Sequence, residues 1–302
     1  MRISRRDFVL GAAMRGFAQE PTFSTDVKVV TLLATVHDRD GAIVTNLNRD
    51  DFLVEEEGVA QTIRYFSRES DLPLAIGLLV DTSLSQRRVL ERERRASRTF
   101  LDQVLREDGD RAFVAHFDIR VEVLQDLTSS RAKLGSALDE LRIPRRGSTL
   151  LYRAVRECAE RQMRRQTGRK AFVILSDGFD ANSHTTIGTA IEYAQRADTI
   201  VYSILFRRNE PLKYYPPMLL YNARGERAMQ RLARETGGAY FEVSAGNPIE
   251  KIYTSIEEQL RSQYSIGYTP QRKDAEGIYR AIRVTTTRSD LVVQTRAGYF
   301  VR

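Results

Sequence analysis

Five oxygen-bearing side chains lie beside predicted strand ends and helix starts, in a pattern that could bind a divalent metal ion. They are Asp81, Ser83, Ser85, Thr149 and Asp177. The first three follow the apolar run LPLAIGLLV in the segment DTSLS, Thr149 lies at the end of the loop RRGST, and Asp177 follows the run KAFVILS. No histidine or cysteine is among them. Hard oxygen donors of this kind suit Mg²⁺, with Mn²⁺ or Ca²⁺ as alternatives.

The same residue types also favour the first positions of helices, so each segment could instead cap a helix. Ser85 and Thr149 both lie near predicted helix starts. A metal ion would give the site a property that a helix cap lacks. Two carboxylates only roughly neutralise a divalent cation, so part of its attraction for anions remains. A cation held here would attract an acidic group from another molecule. The delivery of all three segments to strand ends favours the metal site.

Alternating strand-like and helical patterns between residues 71 and 261 predict an α/β domain. Its continuous apolar strands indicate a doubly wound, mostly parallel sheet flanked by helices. The predicted strands are 72–80, 111–117, 121–127, 170–176, 199–206 and 239–243. The predicted helices are 86–106, 130–141, 150–165, 186–197, 226–236 and 249–261. Because ligands bind at the carboxyl ends of strands in such a sheet, the three segments are expected to meet at one edge.

Segments rich in β-strand patterns flank this domain. Residues 24–70 contain VKVVTLLATVH, FLVEEEG and QTIRYFS, and residues 262–302 contain SQYSIGYTP, IYRAIRVTTT and LVVQTRAGYF. We expect the two segments to form one small β sandwich, with the α/β domain of residues 71–261 inserted between them. Two separate β units are the alternative.

Composition argues against several classes of protein. The chain has 302 residues, 42% of them hydrophobic, which allows one large core and a smaller one. Its net charge of +7 would suit nucleic acid, but the basic residues are spread along the chain without a recognition motif, so we expect no nucleic-acid partner. The single Cys158 cannot form an internal disulfide. No phosphate-binding motif G-x-x-x-x-G-K-[ST] is found, and no small-molecule cofactor is expected.

Residues 1–18 resemble an export signal. The segment SRRDF is similar to the twin-arginine motif, and an apolar stretch with small residues up to Ala18 follows it. A basic tail is the alternative, because Arg15 interrupts the apolar stretch. No other stretch reaches the roughly 18 apolar residues that span a bilayer. We therefore expect an exported protein, periplasmic or extracellular, without a transmembrane segment.

The segments DTSLS, GSTLLYRA and ILSDGFD together resemble the metal-ion-dependent adhesion site of von Willebrand factor type A (vWA) domains, in their order and separation. The similarity extends through RLARETGGAYFEV, which resembles the family's last helix-to-strand passage. The β-rich flanks are similar to those of vWA-related proteins from acidobacteria and their relatives. The resemblance implies a vWA fold and a role in adhesion or assembly, although some members are subunits of metal chelatases.

The resemblance also implies a role for each residue of the site. Ser83 and Ser85 would ligate the metal directly, and Thr149 directly or through water. Asp81 and Asp177 would act mainly through waters. An exposed Asp or Glu of a protein partner would complete the coordination sphere.

The segment RRNEPLKYYPPMLLYNARG, between predicted strand 199–206 and helix 226–236, is longer than most connections. Since it leaves the carboxyl end of a strand, we expect it on the side of the metal site. Five of its residues could form an apolar contact with a partner: Tyr214, Tyr215, Met218, Leu219 and Tyr221. Packing against their own protein is the alternative.

Two other functions compete with a metal-dependent binding module. An envelope scaffold would bind partners regardless of metal. A metal-dependent phosphotransfer enzyme would use Asp81 as its nucleophile, but Ser83 replaces the second carboxylate of the DxD motif of such enzymes. The histidines His37, His116 and His184 have no G-x-S-x-G motif beside them. We therefore expect a protein that is not an enzyme.

Overall fold

The structure is a computed structural model that describes residues 29–68, 72–106, 109–145, 147–181, 183–207, 216–272 and 275–301, with only the backbone of 216–219. The predicted export signal lies outside these residues. The strands are β1 Val30–His37, β2 Phe52–Glu56, β3 Val59–Gln61, β4 Ile63–Arg68, β5 Leu74–Asp81, β6 Arg111–Phe117, β7 Val121–Thr128, β8 Arg169–Ser176, β9 Ile200–Leu205, β10 Tyr240–Glu242, β11 Tyr264–Tyr268, β12 Tyr279–Thr286, β13 Val292–Gln294 and β14 Gly298–Phe300. The helices are α1 Leu90–Val104, α2 Arg131–Glu140, α3 Leu151–Cys158, α4 Ile187–Arg196, α5 Pro216–Thr236 and α6 Ile249–Arg261.

A six-stranded sheet in the order β10-β9-β8-β5-β6-β7 forms the centre of the α/β part. All neighbouring strands are parallel except β6 and β7, which pair antiparallel at one edge. Every residue of β5 and β8 is buried, as expected for strands covered on both faces. The predicted α/β fold with a mostly parallel sheet is confirmed.

The two faces of this sheet carry separate hydrophobic cores, because successive side chains of a strand point to opposite faces. On one face, Leu78 packs in a core with residues of α1, α2 and α6. On the other, Leu79 packs with residues of α3, α4 and α5. The sheet is therefore held between three helices on each side, and its strand ends are left free to form a site.

The N-terminal and C-terminal segments pair with one another in two further antiparallel sheets. Their strand orders are β13-β1-β11-β4 and β14-β12-β2-β3, so each sheet takes strands from both ends of the chain. A third hydrophobic core joins them, with Leu32 and Ile266 from one sheet and Val54 and Val284 from the other. This pairing supports, as a proposal, one β unit made of both flanks. The boundaries drawn at residues 71 and 261 stay a prediction.

A buried acidic residue connects the strands of this β unit. Glu56, only 3% exposed, forms an ion pair with Arg280, which is itself 1% exposed. The hydroxyls of Tyr268 and Tyr299 donate to Glu56 Oε2 at 2.6 and 3.0 Å. Such a charge is costly to bury unless it is fully paired, so these contacts fix the packing of the two sheets.

The β unit contacts the central sheet at the edge where the parallel strands begin. Arg296 Nη1 donates to Asp198 Oδ1 at 2.8 Å, just before β9. Gln294 Nε2 donates to the carbonyl oxygen of Gly237 at 3.3 Å, just before β10. Asp81 lies at the other edge, where β5 ends. These two contacts of the β unit therefore lie at the edge opposite to the carboxyl end of β5. No described helix is long and apolar enough to cross a membrane.

Helix α5 begins at Pro216 rather than at residue 226 as predicted. Proline suits the first turn of a helix, since that turn needs no backbone N–H donor. The prediction started the helix after Gly225, but this glycine lies within the helix. A Cβ atom at Gly225 would lie 2.2 Å from the Asp177 carbonyl oxygen, so the residue permits a close approach and does not end a helix.

Candidate metal centre

The carboxylate of Asp81 is buried at the end of the central strand β5, with an exposure of 0%. The Ser83 backbone N–H donates to Asp81 Oδ1 at 2.8 Å. The Ser176 hydroxyl, at the end of the neighbouring strand β8, donates to Asp81 Oδ2 at 2.6 Å. These two hydrogen bonds orient the carboxylate and join the loop after β5 to the end of β8.

The two serines of DTSLS face one another at the start of a short helical turn, Leu84–Arg88, that follows β5 and has Ser83 just before its first residue. Their Oγ atoms are 2.9 Å apart. The Gln86 amide donates to Ser85 Oγ at 3.3 Å. Ser83 is buried whereas Leu84, between the serines, is 41% exposed, so this turn lies at the protein surface.

Asp177 follows β8, which pairs with β5, and it lies in a loop held by helix α5. Its Oδ1 accepts a hydrogen bond from the Phe179 N–H at 3.1 Å. Gly178 has a φ of 77°, and a Cβ atom there would lie 2.3 Å from the Gly225 carbonyl oxygen. Two glycines therefore let α5 pack directly against the loop and fix the position of Asp177.

Thr149 lies beside the continuation of the same loop. The Ala181 N–H donates to the Thr149 carbonyl oxygen at 2.7 Å, and the Ser148 hydroxyl donates to the Ala181 carbonyl oxygen at 2.8 Å. Asp180 Oδ1 accepts a hydrogen bond from the Tyr152 N–H at 2.8 Å, in the first turn of α3. The segments that carry Asp81, Thr149 and Asp177 are thus adjacent at the carboxyl edge of the sheet.

A family model described as von Willebrand factor type A domain matches residues 76–179. The α/β part of this chain has the vWA fold. No curated protein matches the chain.

Two structures of one mussel protein have this fold. Proximal thread matrix protein 1 from the mussel byssus is 14% identical, with a TM-score of 0.53, over 68% of this chain and 51% of that one. Its structure with a zinc-occupied MIDAS (metal-ion-dependent adhesion site) motif is 16% identical, with a TM-score of 0.52, over 69% of this chain and 50% of that one.

A bacterial surface protein gives a similar match. The pilus adhesin SpaC from Lactobacillus rhamnosus GG, in an open conformation, is 9% identical, with a TM-score of 0.50, over 83% of this chain and 47% of that one. The matched region spans about half the length of SpaC and of the mussel protein.

The two carboxylates at the carboxyl edge of the central sheet repel one another. Burial, and then the nearby charge of Asp177, raises the pKa of Asp81 to about 7, although hydrogen bonds from Ser176 and Ser83 oppose the rise. A divalent cation between the carboxylates would remove this repulsion. Among the residues that the structure describes, no group of three or more His, Cys, Asp or Glu could hold a metal ion. A site here would depend on hydroxyl ligands beside two carboxylates, which is a donor set that fits Mg²⁺.

One described residue of the predicted partner patch, Tyr221, lies near this edge of the α/β part. Tyr214 and Tyr215 lie outside the described residues, and Met218 and Leu219 lie in the first turns of α5, where only the backbone is described. Tyr221 stacks on Phe179, with ring centroids 3.6 Å apart. Since Phe179 follows Asp177 closely, this aromatic pair lies beside the candidate site. A role of the patch in binding stays a prediction.

Three residues near the site were not identified from the sequence. Ser176 is the last residue of β8. Its hydroxyl at the end of a predicted strand could have identified it from the sequence. Gln86 and Glu93 are each 1% exposed although their residue types are usually exposed. Glu93 follows Leu90 by three residues, which puts it on the apolar face of α1. A charged residue on the apolar face of a predicted helix could therefore have identified Glu93 from the sequence.

Proposed function

We propose that this chain is an exported, non-catalytic binding module that engages an acidic group of a protein partner through a divalent metal ion. The observation that carries the proposal is the pair of carboxylates, Asp81 and Asp177, buried close together at the open edge of the sheet. Two buried like charges repel one another, and a divalent cation bound between them would remove that repulsion without protonation of Asp81.

The residues that would hold the ion are those predicted from the sequence. Ser83 and Ser85 offer adjacent hydroxyls, with Oγ atoms 2.9 Å apart. Asp81 and Asp177 supply the charge, and Thr149 a further hydroxyl. When bound, Mg²⁺ would supply an electrophilic centre that attracts a carboxylate oxygen of the partner. The two aspartates only roughly neutralise Mg²⁺, so the centre would still attract one further anionic ligand.

The comparisons support the proposal at the level of the fold. One structure with this fold is described as having a zinc-occupied MIDAS motif, and another is a pilus adhesin. Their identities of 16% and 9% carry no residue-level argument, so the ligand assignment rests on the geometry of this chain. We propose Mg²⁺ as the ion because the donors are all oxygen atoms, whereas zinc usually takes nitrogen and sulfur ligands.

An enzymatic phosphotransfer role fits this site less well. Both oxygens of Asp81 accept hydrogen bonds, from Ser83 and Ser176, and the carboxylate is fully buried. A nucleophilic carboxylate needs an oxygen that the substrate can reach. His116 is also buried, and its Nδ1 lies 2.9 Å from the buried hydroxyl of Thr82. We therefore propose binding in preference to catalysis.

Metal-dependent capture of a partner tests this function. The wild-type chain and Ser83→Ala would be used to capture proteins from cell-envelope extract, in Mg²⁺ and in EDTA. Ser136→Ala is the matched control, because Ser136 is an exposed serine on α2. We expect a partner that the wild type and the control capture in Mg²⁺ but lose in EDTA, and that Ser83→Ala does not capture.

The captured protein then provides a second test. Replacing its exposed Asp and Glu residues one at a time with Asn or Gln should identify one residue on which capture depends. Equal capture by the wild type and Ser83→Ala, in EDTA as in Mg²⁺, would contradict the proposal. That result would favour a scaffold that binds without metal.

A further inference from the structure

Glu93 is a buried carboxyl group in the first turn of α1. The buried face of this helix is otherwise apolar or weakly polar: Leu90, Ala96, Ser97, Phe100, Leu101 and Val104. Glu93 is 1% exposed, and neither of its carboxyl oxygens has a hydrogen-bond partner among the described residues. An unpartnered carboxyl is costly to bury, so its presence on this face needs a cause beyond packing.

Two polar groups between α1 and α6, the hydroxyls of Ser97 and Tyr253, do not explain the burial of Glu93, because they hydrogen-bond to one another. Ser97 Oγ lies 2.8 Å from the hydroxyl of Tyr253, and the ring of Tyr253 stacks on Phe100 with centroids 4.4 Å apart. Toward the strand ends, Glu93 lies within electrostatic reach of the candidate metal centre. Burial, followed by the charges of Asp81 and Asp177, raises its pKa well above the ordinary value.

A second buried acceptor without a donor lies next to Ser85, in the turn that follows β5. Gln86 is 1% exposed; its amide nitrogen donates to Ser85 Oγ, but its Oε1 has no hydrogen-bond partner among the described residues. Gln86 and Glu93 thus have three buried acceptor oxygens between them, and none of the three accepts a hydrogen bond from a described residue. Water molecules bound to a cation are strong hydrogen-bond donors, and Mg²⁺ usually keeps several of them.

We infer that Glu93 is a positioning residue of the metal centre, whose carboxylate accepts a hydrogen bond from a metal-bound water. The inference rests on the proposed function, since it requires a cation at this site. A direct ligand role is not inferred, because no three acidic residues lie close enough together among those described to hold one ion. Outer partners of this kind orient the ligands and raise the affinity for the metal.

Calorimetric titration with Mn²⁺ tests this role in the full chain with Glu93→Gln, which keeps the shape of the side chain and removes its charge. Glu91→Gln is the matched control, because Glu91 lies in the same turn of α1 with a side chain that is 70% exposed. We expect Glu93→Gln to raise the Kd for Mn²⁺ by at least about tenfold, and the control to change it by less than about twofold.

Urea denaturation in EDTA separates a metal-related role from a structural one. Without metal, Glu93→Gln should be at least as stable as the wild type, because an unpaired carboxyl no longer has to be buried. If Glu93→Gln does not fold, Glu93→Met replaces it in both measurements, with the same expectation.

Two results would overturn the inference, and they are distinguishable. A Kd for Mn²⁺ that is unchanged in a folded Glu93 variant would make Glu93 a structural residue and leave the proposed function intact. No binding of Mn²⁺ to the wild type would contradict the proposed function itself.

Discussion

Removal of metal should invert the usual dependence of stability on pH. Carboxylates that are ion-paired or hydrogen-bonded in the folded state usually stabilise a fold as the pH rises, because those contacts lower their pKa. Asp81 behaves in the opposite way, since burial and the charge of Asp177 raise its pKa to about 7. In EDTA the folded protein holds a proton on Asp81 at pH values where the unfolded chain has lost it. Stability from this group should therefore fall as the pH rises.

The size of the effect follows from the two pKa values. A rise from the ordinary 3.8 to about 7 corresponds to roughly 4 kcal/mol, at about 1.4 kcal/mol for each tenfold change in proton affinity. The contribution is present in full below 3.8 and is lost as the pH rises through about 7. No discount for solvent screening applies, since Asp81 is completely buried. Glu93, whose pKa is also raised, acts in the same direction.

Urea denaturation in EDTA between about pH 5 and about pH 8 measures this dependence. The control is Asp81→Asn, which keeps the size of the side chain and removes the titration. Relative to the control, the wild type should lose roughly 2 to 3 kcal/mol across that range, because the first part of the effect is lost below about pH 5. Mg²⁺ at a hundredfold excess over its Kd should restore roughly 3 kcal/mol at about pH 8. Parallel pH profiles for the two proteins would refute the reasoning.

Two further substitutions test the support of the site and the independence of the β unit. Gly225→Ala would put a methyl group 2.2 Å from the Asp177 carbonyl oxygen, so calorimetry should show weaker Mn²⁺ binding and urea denaturation a loss of about 1–3 kcal/mol. Gly188→Ala in α4 should do neither, because a Cβ atom there would lie 3.7 Å from Thr186 Oγ1, an ordinary van der Waals contact. Equal effects of the two would argue against a tight contact. Glu56→Ala would remove the buried carboxylate that pairs with Arg280, at a cost of about 3–5 kcal/mol in urea, but it should not change the Kd for Mn²⁺, because the β unit contacts the opposite edge of the sheet. A changed Kd would instead couple the β unit to the site.

Elements with a continuous or periodic apolar pattern could be predicted from the sequence. The run KAFVILS became β8, Arg169–Ser176, and the apolar positions of the last predicted helix became α6, Ile249–Arg261. In both cases burial on a sheet requires the pattern that the sequence displays. The edge of the sheet where the site lies followed from the same reasoning, since loops after parallel strands meet at their carboxyl ends.

Features that depend on contacts between distant segments could not be predicted in this way. Gly225 is typical of a helix boundary in a sequence, and its contact with the Asp177 carbonyl appears only when α5 is packed against the loop after β8. The hydrogen bond from Ser176 to Asp81 joins two residues that are 95 positions apart in the chain. The position of Glu93 on an apolar helix face could be recognised in the sequence. Its proximity to the charges of Asp81 and Asp177 could not, because it depends on how the segments pack.

Calorimetric titration of the purified chain with Mn²⁺ is the most direct test of the metal site. The wild type should bind one ion, and Ser83→Ala and Asp177→Ala should each weaken binding at least about tenfold, while the exposed Ser136→Ala leaves it unchanged. A wild type that takes up no ion, or variants that bind as tightly as the wild type, would contradict a metal centre built from these residues.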